Sequence, residues 1–506
     1  MNGIRTDMPK HLIPDGYLSG GENVLFRDGL IVVRGGMTPL TSTAPTTVPI
    51  MGGIFYSDHV QTLRTIAGTT TGFWLFSSGA WSDISGSALT GTNADQVRFT
   101  VFPLTNTTRV IAVNDVNAPR VYTGAGNFVS LGGSPPIAMD CTTAFRRVIL
   151  GNIIVSGTRR STSVAVSGFQ DPTIWSSDNF FTIADTGDPI LAVKNLDDQQ
   201  FAIYREKSQW VGIGAGDIFP FIYEIRDQQP GPVSPAAVVQ AEGPHYYVGL
   251  DGDVYRFDGN RCTSIGYPVR RLIQSDFDFD NRKRCHGVYD PINREIWWYW
   301  QSYRTIGGFS GIAYRLPNAE MPGAFSPLMT YRFSLTASLQ WRDTIGLGWD
   351  DLTGTWDDLG ALYPTWDSFP NVSRLGILVG SSAGQVYRFG RSGGDDGGGI
   401  DASWDLPFRS YGGVGENVRM DSIEAHFKKP ALSVNASIVL LTTDTLNDDG
   451  TVADTQTFDI NTSNKIRATY YNQVARFMSI RHKLTGTQGL QEYRGGTIYA
   501  YSRGES

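Results

Sequence analysis

The sequence predicts an all-β protein, a β-propeller with an N-terminal arm and a C-terminal β-sandwich, and three observations carry the prediction. The 506 residues include 58 glycines and 12% aromatic but only 18% charged residues, a balance that suits strands joined by many turns better than helices. Apolar residues spaced at i, i+3, i+4 and i+7 rarely occur without an intervening Gly, Pro or Thr, so helical periodicity is almost absent. Short runs such as GFWLF, RVIAV, RRVILGNIIVSG, QFAIY, HYYVGL, DVYRF, REIWWYW and LGILVG are bounded by Gly, Asn, Asp or Ser, the mark of strands in hairpins.

Taken in order, residues 1 to about 45 form an arm whose ENVLFRDGLIVVRGG holds strand, Asp-Gly turn and strand, a strong hairpin signal. Over 46–390 an aromatic or apolar strand leading into a Gly-containing turn recurs at Trp74, Tyr122, Val164, Trp210, Tyr255, Tyr314 and Tyr387, at separations of 48, 42, 46, 45, 59 and 73. A period of about 45 residues is that of a four-stranded propeller blade. The stretched late intervals place an insertion around 318–372. The Gly-rich run at 391–400 has the composition of a flexible linker. From 401 to 506, DSIEAHFKK, LSVNASIVLL, KIRATYYNQVARFMSIRHKL and GGTIYAYS alternate, as the strands of a small antiparallel sandwich do.

A formal net charge of −7 argues against a protein that grips nucleic acid, because phosphate binding needs concentrated Lys and Arg. No apolar run reaches the roughly 18 residues of a membrane span, so no membrane insertion of its own is expected. The first residues show neither an apolar h-region nor a small-residue cleavage site, and synthesis in a cytoplasm is expected. Cys141, Cys262 and Cys285 are an odd set without CxxC spacing, which points to buried free thiols.

Catalytic patterns are weak. None of the six histidines falls in HExxH or beside a Ser or Cys in a way that implies activation, so the expectation is no enzyme, no metal and no cofactor. Gly380-Ser381-Ser382-Ala383-Gly384 matches G-x-S-x-G, but the nucleophile elbow needs a following helix, and here QVYRFG follows. DFDFD, Asp276 to Asp280, lacks the Gly and Glu of a calcium loop and is expected to be an amphipathic strand.

The insertion repeats one phrase: Trp349-Asp350-Asp351-Leu352, Trp356-Asp357-Asp358-Leu359 and Trp366-Asp367-Ser368-Phe369. Paired carboxylates serve glycoside hydrolysis, yet the S-x-D-x-G-x-x-W box of sialidase propellers fails at Leu352. Indoles bury a large area at low rotamer cost. Trp349, Asp350, Asp351, Trp356, Asp357, Asp358, Trp366 and Asp367 are therefore expected to be partner or subunit contacts, with anchoring rings and acidic tips.

Four phrases in order, ENVLFRDGLIVVRGG, IWSSDNFF, RDQQPGPVSPAAVV with YYVGLDGDVYRFDGN, and GVYDPINREIWWYWQS, resemble the tail nozzle proteins of short-tailed bacteriophages, the packaged-DNA stabilisation group. The resemblance covers most of 15–305 and is weaker beyond. It implies a non-enzymatic virion component, assembled in the bacterial host cytoplasm and residing in the virion tail. It further implies a homohexameric ring beneath the portal and its adaptor, with tail fibre or needle proteins around or below. The ring would retain packaged double-stranded DNA and pass it during ejection without sequence-specific binding. An acidic wall suits that role, since it offers phosphates nothing to grip. The alternative expectation is a tail propeller that binds or cleaves glycans.

Overall fold

The computed structural model describes residues 1–183, 187–216, 220–304, 307–344, 373–392, 394–410, 418–427, 435–443, 450–459, 465–487 and 492–502. Among them the strands form seven antiparallel blades, six with four strands and blade six with five, and two packed sheets, one of which continues the sheet of blade seven. The fold is an all-β propeller joined to a β-sandwich. Each of the seven repeat positions lies on the third strand of its blade, from Trp74 in Phe73–Ser77 to Tyr387 in Val386–Ser392. In blades one to six the phrase is thus the third strand running into the turn before the fourth; in blade seven the chain leaves the third strand for Gly394–Asp395.

Blades read as continuous apolar runs because a neighbour covers each face. In Thr107–Val113, Ile111 and Val113 pack towards blade three, while Val110 and Ala112 pack towards blade one. In Glu295–Gln301, Trp298 and Trp300 face blade five, whereas Trp297 and Tyr299 face blade seven. Period two persists, but both phases are buried, as in any sheet covered on both sides. Seven such hydrophobic clusters, one per blade boundary, close the circle, the last joining Ile50 and Ala67 of blade one to Leu339 and Leu378 of blade seven.

The N-terminal arm, with its hairpin Val24–Arg27 and Leu30–Val33, is built into both modules. Gly36–Pro39 pairs with Val386–Ser392 as the outer strand of blade seven. Gly20–Glu22 pairs with Gly398–Asp405 in one sandwich sheet, and Leu30–Val33 pairs with Glu492–Ser502 in the other. The expected flexible linker is a hairpin, Gly394–Asp395 against Gly398–Asp405, bridged to Met37. Glycines at the crossing of this hairpin with the arm serve close packing. A Cβ on Gly36 would lie 2.1 Å from the Gly394 carbonyl oxygen, and one on Gly35 would lie 2.5 Å from the Gly390 Cα, so two backbones cross where no side chain fits.

Two further expectations change. The insertion narrows, because Ala324–Phe325 and Met329–Tyr331 complete blade six and Leu335–Thr344 opens blade seven. DFDFD is not a strand: Asp276 ends the short helix Arg270–Asp276 and accepts hydrogen bonds from Trp300 Nε1 and Ser302 Oγ. Asp278 caps the following turn by accepting from the Asp280 and Asn281 amides.

Candidate functional site

Trp349, Asp350, Asp351, Trp356, Asp357, Asp358, Trp366 and Asp367 lie outside the described residues. The strands that flank them are paired to their ends, Thr344 opposite Ser373. Segment 345–372 is therefore the first-to-second-strand connection of blade seven, and it leaves the face that carries the corresponding turns of the other blades.

Three of the four phrases that carry the resemblance converge on the seam between propeller and sandwich. One hydrophobic cluster contains Val24, Phe26, Ile31 and Val33 from the arm, Val233 and Ala237 from GPVSPAA, and Val248 and Val254 from blade five. Tyr289, Ile296, Trp298 and Trp300 from blade six join the same cluster, as do Trp404 and Phe427 of the sandwich. IWSSDNFF lies apart, entering the outer strand Phe180–Thr182 of blade three.

Charge locks this seam. Arg34, 2% exposed, donates to both carboxylate oxygens of Asp395, to the Thr330 carbonyl and to Asn23 Oδ1. Its guanidinium lies 4.6 Å from the Tyr331 ring centroid. Burial is the largest influence and opposes its charge, but the Asp395 hydrogen bond and the neighbouring Tyr331, Asp395 and Tyr299 together outweigh it and hold its pKa above the ordinary value. Arg27 makes a second bidentate pair with buried Glu295, at 2.8 and 2.7 Å. Burial raises the Glu295 pKa, against the opposing effect of Arg27. Arg409 ties the start of the chain to the sandwich through Asp15 and the His11 and Ile13 carbonyls. Sequence reasoning missed Arg34, Asn23 and Asp395, since Asp395 stood in a run whose composition says linker.

Around the propeller axis, side chains bond between neighbouring first strands. Asp140 accepts from Lys194 at 2.8 Å and from Arg98 at 3.3 Å, Thr100 meets Thr143 at 2.9 Å, and His286 meets Ser338 at 2.8 Å. Burial, then Arg98, brings the Lys194 pKa down to about 8. Cys141, Cys262 and Cys285 are free and buried. Ser382 sits in the hairpin turn between Ser373–Ser381 and Val386–Ser392, so the strand, turn and helix of a nucleophile elbow are not formed there. Among the described residues no three His, Cys, Asp or Glu side chains converge as a metal-ligand set, and no helix is long and apolar enough to cross a membrane.

The molecule is thus a seven-bladed propeller stitched to a β-sandwich, a description that rests on the strand pairings. No family model and no curated protein matches the chain. Among solved structures it is similar to BamB from Moraxella catarrhalis, with 10% identity, 71% of this chain and 97% of that one covered, and a TM-score of 0.34. It is similar also to YCF48 bound to D1 peptide, with 9% identity, coverage of 71% and 94%, and a TM-score of 0.36.

Proposed function

We propose that the protein is a structural subunit of the tail nozzle ring of a short-tailed phage, a conduit that helps retain packaged DNA and passes it during ejection. The observation that supports this most is the convergence of most of the resembling phrases on one seam. Short Gly-rich phrases arise by chance singly, but chance gives no reason for three of them, more than 200 residues apart in part, to build one hydrophobic cluster with its own ionic locks. In this reading the seam makes propeller and sandwich one rigid body, which a ring under the pressure of packaged DNA requires.

A closed ring needs two different patches on each subunit. In this reading Trp349, Asp350, Asp351, Trp356, Asp357, Asp358, Trp366 and Asp367 supply one of them, as contacts with a neighbouring subunit or tail protein. The duplex passes through the hole of the ring, since the first strands of each propeller are tied to each other around its own axis.

Light scattering after size exclusion, on the chain alone and mixed with the portal–adaptor complex of its phage, tests the proposal. A ring-sized species, or capture by that complex, is expected. A monomer indifferent to the complex would overturn the ring. Alanine at Asp350, Asp351, Asp357 and Asp358 should then impair assembly alone; loss of polysaccharide binding or cleavage instead would favour the glycan reading of that segment.

A further inference from the structure

The face that carries the first-to-second-strand turns holds a cleft of about 510 Å³ between blades two, three and four, within the roughly 300–1,000 Å³ of small-molecule sites. Its floor contains a costly turn. Ala144 pairs with Arg147, leaving a two-residue loop of Phe145 at φ 49° and Arg146 at φ 51°. Such turns favour Asn-Gly, because both positions need positive φ, and a bulky residue held there is strained. Asn-Gly would connect these strands without that strain. The Phe145 ring packs against the core between blades three and four, and the Arg146 side chain is exposed at the rim.

Those side chains build a recognisable surface. The Phe145 ring lies 5.9 Å from Phe169 and 6.1 Å from Phe221. Phe169 is 43% exposed towards the cleft, and the buried Arg147 guanidinium sits 5.6 Å from its centroid. The arrangement is fixed in advance: the Phe145 amide donates to the Asp198 carbonyl at 2.7 Å, and the Gln170 amide, at φ 57°, donates to the Arg146 carbonyl at 2.9 Å. On the rim, Arg146, Gln170, Asp198 and Gln199 are exposed.

We propose that this cleft binds a neutral saccharide. An exposed, flat ring offers the apolar C–H face of a pyranose a stacking partner. Planar amides and a carboxylate present paired donors or acceptors that match adjacent hydroxyls. The exposed charged groups lining the cleft, Arg146 and Asp198, are of opposite sign, so the rim presents no surplus charge to select an ionic ligand. The preformed floor lowers the ordering cost of binding. This inference does not rest on the ring reading, and its test does not involve assembly.

Saturation-transfer difference NMR on the full chain, with maltotriose, cellotriose, mannotriose and lactose as probes, tests it. Transfer to the ring protons of at least one probe is expected. Phe169→Ala should reduce it at least tenfold, and Asp198→Ala, whose side chain is exposed and outside any packing, severalfold, both with an unchanged thermal melt. No transfer to any of the four, or transfer undiminished in both variants, would overturn the site. Tighter binding of 3′-sialyllactose than of lactose would overturn its neutral class.

Discussion

Blade four and blade seven share one architecture and are built in opposite ways. Blade four is four consecutive strands within 190–227, each pairing with the next. Blade seven takes three strands from 335–392 and its fourth from Gly36–Pro39, so Tyr387 pairs with Pro39. The first closes over short loops; the second closes over almost the whole propeller. Loop closure grows only slowly with length, so the long-range blade is affordable in equilibrium terms. Its completion couples the ring to both chain ends, because the strand that seals blade seven follows directly on the segment that enters both sandwich sheets.

That difference can be broken. Removing residues 1–39 takes away the outer strand of blade seven, one strand of one sandwich sheet and two of the other. The truncated chain should lose its cooperative melt, and limited proteolysis should cut both the sandwich and blade seven while the inner blades degrade more slowly. Equal protection of all regions would show that the arm is an accessory. Next in size, Arg34→Met or Asp395→Leu leaves one buried charge unpaired, which costs about 3–5 kcal/mol. The double variant should recover most of the loss in a denaturant-unfolding cycle. Additive losses would show that the seam gains nothing from this pair.

Acid should separate the two modules. His245 and His286 in the propeller are brought down to about 4 by burial, and His482 in the sandwich to about 3, also by burial. Each is neutral in the fold and protonates near 6.5 when unfolded. Stability is therefore full above pH 6.5 and is lost as pH falls towards 4 for the propeller pair and towards 3 for His482. Each histidine contributes about 1.4 kcal/mol per pH unit over its window. Glu295 acts in the opposite sense, since its folded pKa is raised. Thermal melts from pH 7 to pH 4 should fall steeply, and His482→Phe, which keeps a ring against Trp404 (stacked at 5.1 Å), should flatten the fall more for the sandwich than for the propeller. An unchanged slope would remove His482 from the account. The smallest effect is expected at Ser382→Ala in the hairpin turn of blade seven, within about 0.5 kcal/mol of the parent; a larger change in unfolding free energy would give that serine a role the turn does not explain.

Residue patterns such as the recurrence at Trp74, Tyr122, Val164, Trp210, Tyr255, Tyr314 and Tyr387 determined the third strand of every blade, because each blade repeats one local environment and so one local sequence. Free, buried Cys141, Cys262 and Cys285 were legible for a similar reason: their spacing already excluded the alternatives. Only the tertiary structure decided where residues 1–45 and 391–400 belong. Glycine answers two opposite demands, freedom in a linker and close approach at a crossing, and composition does not separate them; Gly36 against Gly394 does. In the same way Asp395 looks like a solvated loop residue until Arg34, distant in sequence, is placed beside it. Local periodicity reports the surroundings that neighbours in sequence create, while the seam is made of surroundings that only distant segments supply.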